Sequence, residues 1–473
     1  MNEKYNILIC FAKLGVGGIE TACITQIKEF TRRGYNVFVL AEKGMYLEAL
    51  KKIKGVNYID FKYDSRNSFN LDKIRRVKEI IIENNIKLAY IHQVDCVSSA
   101  FSACMLTKIP YIAYVHHGIS GVYDIDLEIG NMSNEFLKLY YKYAYKIVTI
   151  SDLAKNENKE RFKISEDKYE IVPNCIDFEN FKTDKPINLD RVLLISRFEK
   201  DKGNGIVNGL KFFKEYKLLN PKAELTIVGG GSKEYFVKEQ IKEMNIQCKM
   251  LGRRNDVKDI MEQNGIILGV DRCIQEAIAM KRYAVVTGYE GFQGLVLPTN
   301  IEEFSKNNFS KKSEENIDCK EVAKNIYSLK ENEKNEIVEQ NYGWLRKNRN
   351  IQNNLYEVKE IKNIENPLKD IEYKEVIEIL FGELQYMHTW MQKEIDRGWD
   401  VRQKTEDYYL NREKWNEEQM KFKENIIEKT KKQNRELNKR LDEILKSNSW
   451  NFINKIKSNK ILSKIISKIN RCK

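Results

Sequence analysis

Two short stretches of this chain carry residue types suited to a phosphorylated ligand. In Leu14-Gly-Val-Gly-Gly-Ile-Glu20, three glycines stand between an apolar run and a helical pattern. Such a loop lets the backbone approach a phosphate, while the helix N-terminus supplies N–H donors and positive potential. It is not a dinucleotide fingerprint, because Gly-x-Gly-x-x-Gly would need glycine where Glu20 stands. Glu42, at the end of the next apolar run, does occupy the place of a ribose-binding acid. Hydride transfer with a nicotinamide cofactor therefore stays open, as does a tight turn with no ligand. The second stretch, Ser196-Arg-Phe-Glu-Lys-Asp-Lys-Gly203, holds Arg197 and Lys202 five residues apart. Arg can grip phosphate oxygens in bidentate fashion and Lys acts as a point charge. Fixed cations there would stabilise the charge that a departing diphosphate acquires. A solvated charged loop is the plainer alternative.

The elements that must position these residues repeat one grammar twice. Tyr5–Phe11 is an apolar run, Ile19–Arg33 has helical periodicity ended by Gly34, and Asn36–Ala41 is the next strand. The alternation continues through Leu88–His92, Tyr111–His116 and Ile147–Ser151, closes near Ile171–Asp177, and meets a polar, Pro-containing connector at Lys182–Asp190. It restarts with Val192–Ser196 as strand, Ile206–Leu219 as helix and Glu224–Val228 as strand running into Gly229, Gly230 and Gly231. Further strands are expected at Cys248–Leu251, Gly265–Val270 and Arg282–Thr287. Strands alternating with helices imply parallel sheets with crossover helices. The expected fold class is therefore α/β, two Rossmann-like doubly wound domains followed by a long helical C-terminal extension. Ligands on such sheets sit beyond the carboxyl ends of the strands, where the glycine loops lie.

Composition narrows the function classes. A chain of 473 residues is long enough for two domains and an appendage. No run approaches the roughly 18–20 apolar residues that span a bilayer. The stretch Met1–Phe11 lacks the cleavage region of a signal peptide and reads as a first strand. The nine cysteines are scattered singly, without a Cys-x-x-Cys pair, which favours a reducing cytoplasm over disulfides or zinc. His92, His116, His117 and His388 show no metal-ligand spacing either. The net charge is +12, but eight Lys or Arg and no acid fall between Lys446 and Lys473, leaving +4 for the remainder. That location points to a surface-binding tail and away from a nucleic-acid groove.

In order and spacing, the motifs resemble family 4 of the GT-B glycosyltransferases over about residues 5–345. The resemblance rests on Gly-Val-Gly-Gly-Ile-Glu (15–20), Pro110-Tyr-Ile-Ala-Tyr-Val-His116, Thr149-Ile-Ser-Asp152 and Ile171-Val-Pro-Asn-Cys-Ile-Asp177. It continues through Ser196–Gly203, Leu225-Thr-Ile-Val-Gly-Gly-Gly231, Leu251-Gly252 and Gln275-Glu-Ala-Ile-Ala279. The resemblance implies a retaining transferase that uses a nucleotide-diphosphate sugar; a hexose is the expected sugar, and no metal or other cofactor is expected. It implies that Gly17 and Gly18 lie against the donor's phosphates, that Arg197 and Lys202 bind the diphosphate, and that Glu276 holds the ribose hydroxyls. A carboxylate can accept from both hydroxyls of a ribose, which agrees with that role. Gly229 and Gly252 belong to the same donor-binding set. His116 matches the histidine that lines the reaction centre, with His117 a competing candidate and a satisfied core histidine the plain alternative. One departure stands out: the second Glu usual eight residues before the ribose one is Leu268 here, with Asp271 and Arg272 nearby. Cys175 stands where the family often has glycine.

These readings divide the chain into an acceptor-side domain (1–185), a nucleotide-sugar domain (186–345), a helical extension (346–446) and a basic amphipathic tail (447–473). In the extension, Val376, Leu380, Leu384, Met387, Met391 and Ile395 have helical spacing, so a helical hairpin or a short self-associating coiled coil is expected. In the tail, Leu462, Ile465, Ile466 and Ile469 share one helical face among Lys460, Lys464, Lys468 and Arg471. That pattern suits an anionic membrane surface, or docking on a partner. The expected partners are a nucleotide sugar, a lipid-linked or polysaccharide acceptor and the cytoplasmic face of a bacterial plasma membrane, with no nucleic acid. The competing readings are a non-catalytic GT-B relative that scaffolds a polysaccharide-synthesis complex, and the nicotinamide oxidoreductase.

Overall fold

In a computed structural model, residues 5–63, 70–116, 134–199, 202–310, 317–371, parts of 374–402, and 417–446 are described. Seven strands form the first sheet: β1 (Asn6–Lys13), β2 (Asn36–Glu42), β3 (Val56–Asp60), β4 (Leu88–Ile91), β5 (Tyr111–Val115), β6 (Lys146–Thr149) and β7 (Tyr169–Ile171). They run parallel throughout, in the order β3-β2-β1-β4-β5-β6-β7. The second sheet contains β8 (Arg191–Ile195), β9 (Glu224–Val228), β10 (Cys248–Met250), β11 (Ile266–Gly269), β12 (Tyr283–Val286) and β13 (Gly294–Leu295), in the order β10-β9-β8-β11-β12-β13. Only β13 runs antiparallel to its neighbour. The expected pair of doubly wound α/β units is what the chain forms.

The local sequence accounts for these elements. Ile7–Phe11, β4, β11 and β12 are buried at every position, as strands covered on both faces must be, so they read as continuous apolar runs without alternation. Helices supply the cover. Leu71–Glu83 starts at Asn70, whose side chain accepts from the backbone N–H groups of Asp72 and Lys73, and buries Ile74, Val77, Ile80 and Ile81. In the second unit, Gly203–Leu219 buries Ile206, Leu210, Phe212, Phe213 and Tyr216 against Val192, Leu194 and Leu225.

The C-terminal stretch departs from the expected extension at its start. Instead of continuing as a helix from residue 346, the chain turns back to the first unit after the helix Glu331–Arg349. A single bridge pairs Ile176 with Asn350, and the short helix Ile351–Asn354 follows. Two 3₁₀ turns, Ile361–Asn363 and Pro367–Asp370, come next. Ile361 and Ile364 pack in the cluster of Ile7 and Ile9, while Leu368 and Ile371 pack with Ile74 and Ala100. The irregular spacing of these apolar residues fits a strap laid over a surface and not a helical face. Beyond it, Glu417–Leu445 is one long helix. Most of Val376–Trp399 and all of the basic tail 447–473 lie outside the described residues. No described helix is long and apolar enough to cross a membrane.

A buried charge cluster fastens the strap. Glu29, 3% exposed on the helix Gly18–Arg32, accepts from Arg32 Nε (2.7 Å) and Nη2 (2.6 Å) and from Arg33 Nε (2.8 Å). Arg33 also meets the Glu357 carboxylate and donates to the Gln352 carbonyl (2.7 Å). Burial works to raise the Glu29 carboxyl, but the two guanidiniums outweigh it and hold it below its ordinary value. Removing the charge leaves Arg33 half-paired, so Glu29→Gln is expected to cost on the order of 3 kcal/mol at neutral pH. A carboxylate with a depressed folded-state pKa stabilises above its unfolded value and loses that contribution as pH falls through the folded one. The gap between wild type and Glu29→Gln, measured by denaturant unfolding, should therefore close as the solution is acidified below the ordinary carboxylate range.

Candidate functional site

Each sheet reverses its winding once. In the first, the chain builds outward from β1 to β3 and then crosses to β4 on the other flank of β1; in the second, it does so between β8 and β11. Loops leaving adjacent strands at such a point diverge and open a crevice. The sequence-predicted residues follow these strands. Gly15–Gly18 leaves β1, His92 follows β4 and His116 follows β5. Ser196 and Arg197 follow β8, and β11 leads through Val270 and Asp271 into the helix Arg272–Ala279, which carries Glu276.

The glycine loop is braced from below. Leu14 N donates to the Glu42 carbonyl (2.8 Å), and Tyr46 N donates to the Leu14 carbonyl (3.1 Å). Gly17 caps the helix Gly18–Arg32 in an extended conformation, and the Glu20 side chain folds back over it. Burial raises the Glu20 carboxyl above its ordinary value, with its own backbone N–H and the Arg197 charge opposing the rise. A Cβ built on Gly18 would lie 3.9 Å from Arg272 Cβ, so the first unit's loop abuts the second unit's helix. The Tyr46 phenol, lifted to about 12 mainly by burial, senses Glu276, Arg272 and Glu20 together. Gly17, Gly18, Arg197 and Glu276 are thus gathered about one interface.

Arg272 lies at its centre. Only 5% exposed, it donates from Nε to Glu276 Oε1 (2.9 Å), from Nη1 to the Cys175 carbonyl (3.0 Å) and from Nη2 to Thr25 Oγ1 (3.0 Å). Its three partners belong to its own helix, the segment after β7 and the first unit's leading helix. Glu276 is 9% exposed; burial raises its carboxyl, and the Arg272 charge and hydrogen bond oppose that. Lys202 opens the helix Gly203–Leu219 and turns to a second polar group. Its Nζ meets the Tyr289 hydroxyl, stands 3.7 Å above that ring's centroid and lies 3.7 Å from Asp271 Oδ2. Tyr289 in turn donates to Asp271. Asp271 adopts φ +60° and ψ −126°, a conformation that side chains rarely take.

The remaining predicted residues have more structural surroundings. His116 is 6% exposed, and its Nε2 shares a proton with His92 Nδ1 at 3.0 Å. His92, stacked at 4.1 Å on Tyr114, is held neutral by burial, its pKa driven down to about 3. Sequence spacing gave these histidines no metal-ligand pattern, yet the fold brings His92, His116 and Cys23 together, their ligand atoms within 4.8 Å of one another. Burial and the nearby Glu20 raise the Cys23 thiol against the pull of Arg272. Gly229 and Gly252 brace the Arg197 loop: Gly229 N donates to the Gly252 carbonyl (3.0 Å), and a Gly229 Cβ would fall 1.9 Å from the Ser196 carbonyl oxygen. His117 lies outside the described residues.

Leu268 is a fully buried strand residue of β11 packed in the second unit's core. Only Val270 and Asp271 separate β11 from the next helix, too few residues for a loop bearing the usual extra acid. Counting eight residues back from Glu276 therefore lands inside the sheet. Asp271 and Arg272, the polar pair that the sequence sets beside this position, lie at the interface, with Tyr289 on Asp271 and with Glu20 and Tyr46 across it. Tyr46 and Tyr289 had no signal in the sequence.

Comparison with known proteins agrees with this geometry. Residues 16–180 match the profile of glycosyltransferase family 4. The match spans the first unit, which is similar to a glycosyltransferase family 4 domain. The whole two-unit body has the GT-B fold. It superposes on a glycosyltransferase from Rickettsia africae at 20% identity and TM-score 0.56, covering 78% of this chain and 100% of that one. Anabaena HepE in complex with UDP and glucose aligns at 15% identity and TM-score 0.55, covering 77% and 99%. Sucrose-phosphate synthase from Thermosynechococcus elongatus aligns at 12% and 0.54, covering 74% and 96%. No curated protein sequence matches at a significant level.

The glycines of the two loops should behave differently. Gly229→Ala is expected to lower stability by roughly 2 kcal/mol or more, since its new methyl meets backbone. Gly18→Ala has room and adds helix propensity, so its thermal midpoint should equal or exceed that of wild type.

Proposed function

We propose that this chain transfers a hexose from a nucleotide-diphosphate sugar to a lipid-linked or polysaccharide acceptor, with retention at the anomeric carbon. The observation that carries the proposal is the convergence of Gly17, Gly18, Arg197 and Glu276 where the switch points of two GT-B units face each other. The residues have complementary tasks. Glu276 accepts hydrogen bonds from the ribose hydroxyls, and the backbone at Gly17 and Gly18 admits the phosphates to the start of the helix Gly18–Arg32. Arg197 and Lys202 neutralise the diphosphate as it leaves, and the Gly229–Gly252 contact keeps Arg197's loop in register. In this reading His116, at the carboxyl end of β5, contacts the sugar or the acceptor.

In the reaction we infer, the acceptor hydroxyl oxygen bonds to the anomeric carbon on the face from which the diphosphate departs. The carbon–oxygen bond to the phosphate breaks, and its electron pair stays with the diphosphate. The acceptor's proton passes to that departing group. Neither a dedicated protein base nor a divalent ion has a step to perform in this scheme. That HepE is recorded with UDP and glucose supports a uridine nucleotide as the first donor to test. The burial of Leu268 favours a second reading, a non-catalytic GT-B scaffold; incubation with labelled UDP- and GDP-sugars separates the two, because a scaffold consumes neither.

Arg197→Ala and Glu276→Ala are each expected to reduce nucleotide affinity and transfer more than tenfold, about 1.4 kcal/mol or more. Near-wild-type kinetics in both would refute the site. Gly18→Ala should lose affinity at unchanged stability, because its methyl obstructs the ligand and not the fold.

We further propose that residues 447–473 dock the enzyme on an anionic membrane, the eight basic residues from Lys446 onward acting with the apolar face of Leu462, Ile465, Ile466 and Ile469. Cutting after Lys446 should abolish sedimentation with phosphatidylglycerol liposomes while leaving the thermal midpoint of the two-unit body unchanged. Retained sedimentation would defeat this proposal.

A further inference from the structure

The proposed donor site leaves Arg272 without a task, although it is the most heavily engaged side chain at the interface. A buried guanidinium is costly to desolvate unless its donors are satisfied. Here they are satisfied from three directions: by Glu276, by the Cys175 carbonyl and by Thr25 Oγ1. Two of those anchors lie outside the second unit's sheet. The guanidinium plane is therefore fixed by the first unit and by the segment joining the units. Glu276 Oε1 is held by that plane at 2.9 Å. A lysine at this position would keep the charge but lack the planar fork needed to reach three acceptors.

We propose that Arg272 is the positioning residue for Glu276, holding it ionised and aimed at the nucleotide's ribose through anchors on the first unit, so that the nucleotide is gripped fully only when the two units are apposed. This rests on the reading of Glu276 as the ribose ligand. Without its partner, Glu276 would be a carboxylate in a desolvated place. On its own helix it faces Arg272 and Cys273, and across the interface it faces Tyr46, which also senses Glu20. The packing on the side of the helix Glu331–Arg349 is apolar, with Leu345 joining Ala277 and Ile278. Arg272 is the cation that opposes the effect of burial on Glu276. Buried carboxyls with no such partner reach pKa values of about 8–9. A protonated carboxyl has one lone-pair oxygen less to offer two ribose hydroxyls.

The experiment is calorimetric titration of the full chain with UDP, GDP, ADP and dTDP between about pH 6 and about pH 8, the window in which an unpartnered buried carboxyl would titrate. Wild type is expected to bind one of these nucleotides with little pH dependence. Arg272→Gln should bind it more weakly as pH falls, by up to about tenfold per pH unit, and should recover towards the alkaline end. Arg272→Lys keeps the cation, so its profile should stay flat while its affinity drops several-fold. Thr25→Val removes one anchor and leaves the pair, so it should weaken binding with no pH slope. A pH-independent, wild-type-like Arg272→Gln overturns the inference. If that variant does not fold, an Arg272→Lys affinity equal to wild type overturns it instead. Glu276→Gln separates the two levels: weak binding by Glu276→Gln beside an unaffected Arg272→Gln removes the positioning role alone. Wild-type affinity in Glu276→Gln, or no nucleotide bound by wild type, removes the ribose assignment and the inference with it.

Discussion

A parallel sheet wound in one direction by right-handed crossovers would carry all its helices on one face; to cover both faces the chain starts at an inner strand, builds one flank and crosses over to build the other. That constraint decides where chemistry is performed in this protein. Each crossing leaves two loops diverging from the carboxyl ends of adjacent strands, β1 with β4 in one unit and β8 with β11 in the other. Nothing about Gly17, Arg197 or Glu276 taken alone makes a site. They become one because the strands preceding them flank the two reversals, and because the reversals face each other. The strap of residues 350–371 contributes at a distance, since it packs its isoleucines into the first unit after leaving the second and so joins the two bodies a second time.

Glycine serves two different physical ends here. At Gly229 and Gly288 it is demanded by the protein itself: a side chain would strike the Ser196 or the Gly291 carbonyl oxygen, and Gly288 has φ +69° besides. At Gly18 no such demand exists: an added Cβ would make only an ordinary van der Waals contact, 3.9 Å from Arg272 Cβ. A helix start whose glycine is not required by packing can serve an anionic ligand, whereas a close-packed glycine reports only on packing. The sequence reading sets Gly18 and Gly229 together as binding residues, because residue type does not distinguish the two demands; the distance to the nearest backbone atom does.

Much of the architecture was legible because buried parallel strands leave continuous apolar runs, and β1, β5, β8, β9 and β12 were located within a few residues on that signal. The glycine loop, Arg197 and Glu276 were legible because each abuts such a run, so its place in the fold followed from its place in the pattern. What escaped was set by side-chain direction or by chain length between elements. The sequence shows Leu268 in the place of the usual acid, but its burial in the core of the second unit emerges only from the fold. The meeting of Cys23, His92 and His116 draws on the helix Gly18–Arg32 and on the ends of β4 and β5, and leaves no spacing to read. The strap 350–371 was taken for the start of a helical extension because its short turns are charged and locally compatible with helix; its buried isoleucines became meaningful only with a surface to lie on.

The charges of the site are largely paired with one another: Arg272 with Glu276, Lys202 with Asp271 and Tyr289, and Glu20 beside Arg197. In a partly desolvated crevice, a lone charge would cost more than any ligand contact returns, so the free protein has to satisfy its own groups. A charged ligand entering this crevice would therefore exchange one set of partners for another. The pairs differ in how readily they can be exchanged. Arg197 is exposed and its loop is braced from behind by Gly229, so it can turn to a phosphate without disturbing the core. Arg272 is anchored to both units and cannot leave without stranding Glu276. An exposed Arg197 and an anchored Arg272–Glu276 pair are the two degrees of constraint that burial imposes on these residues.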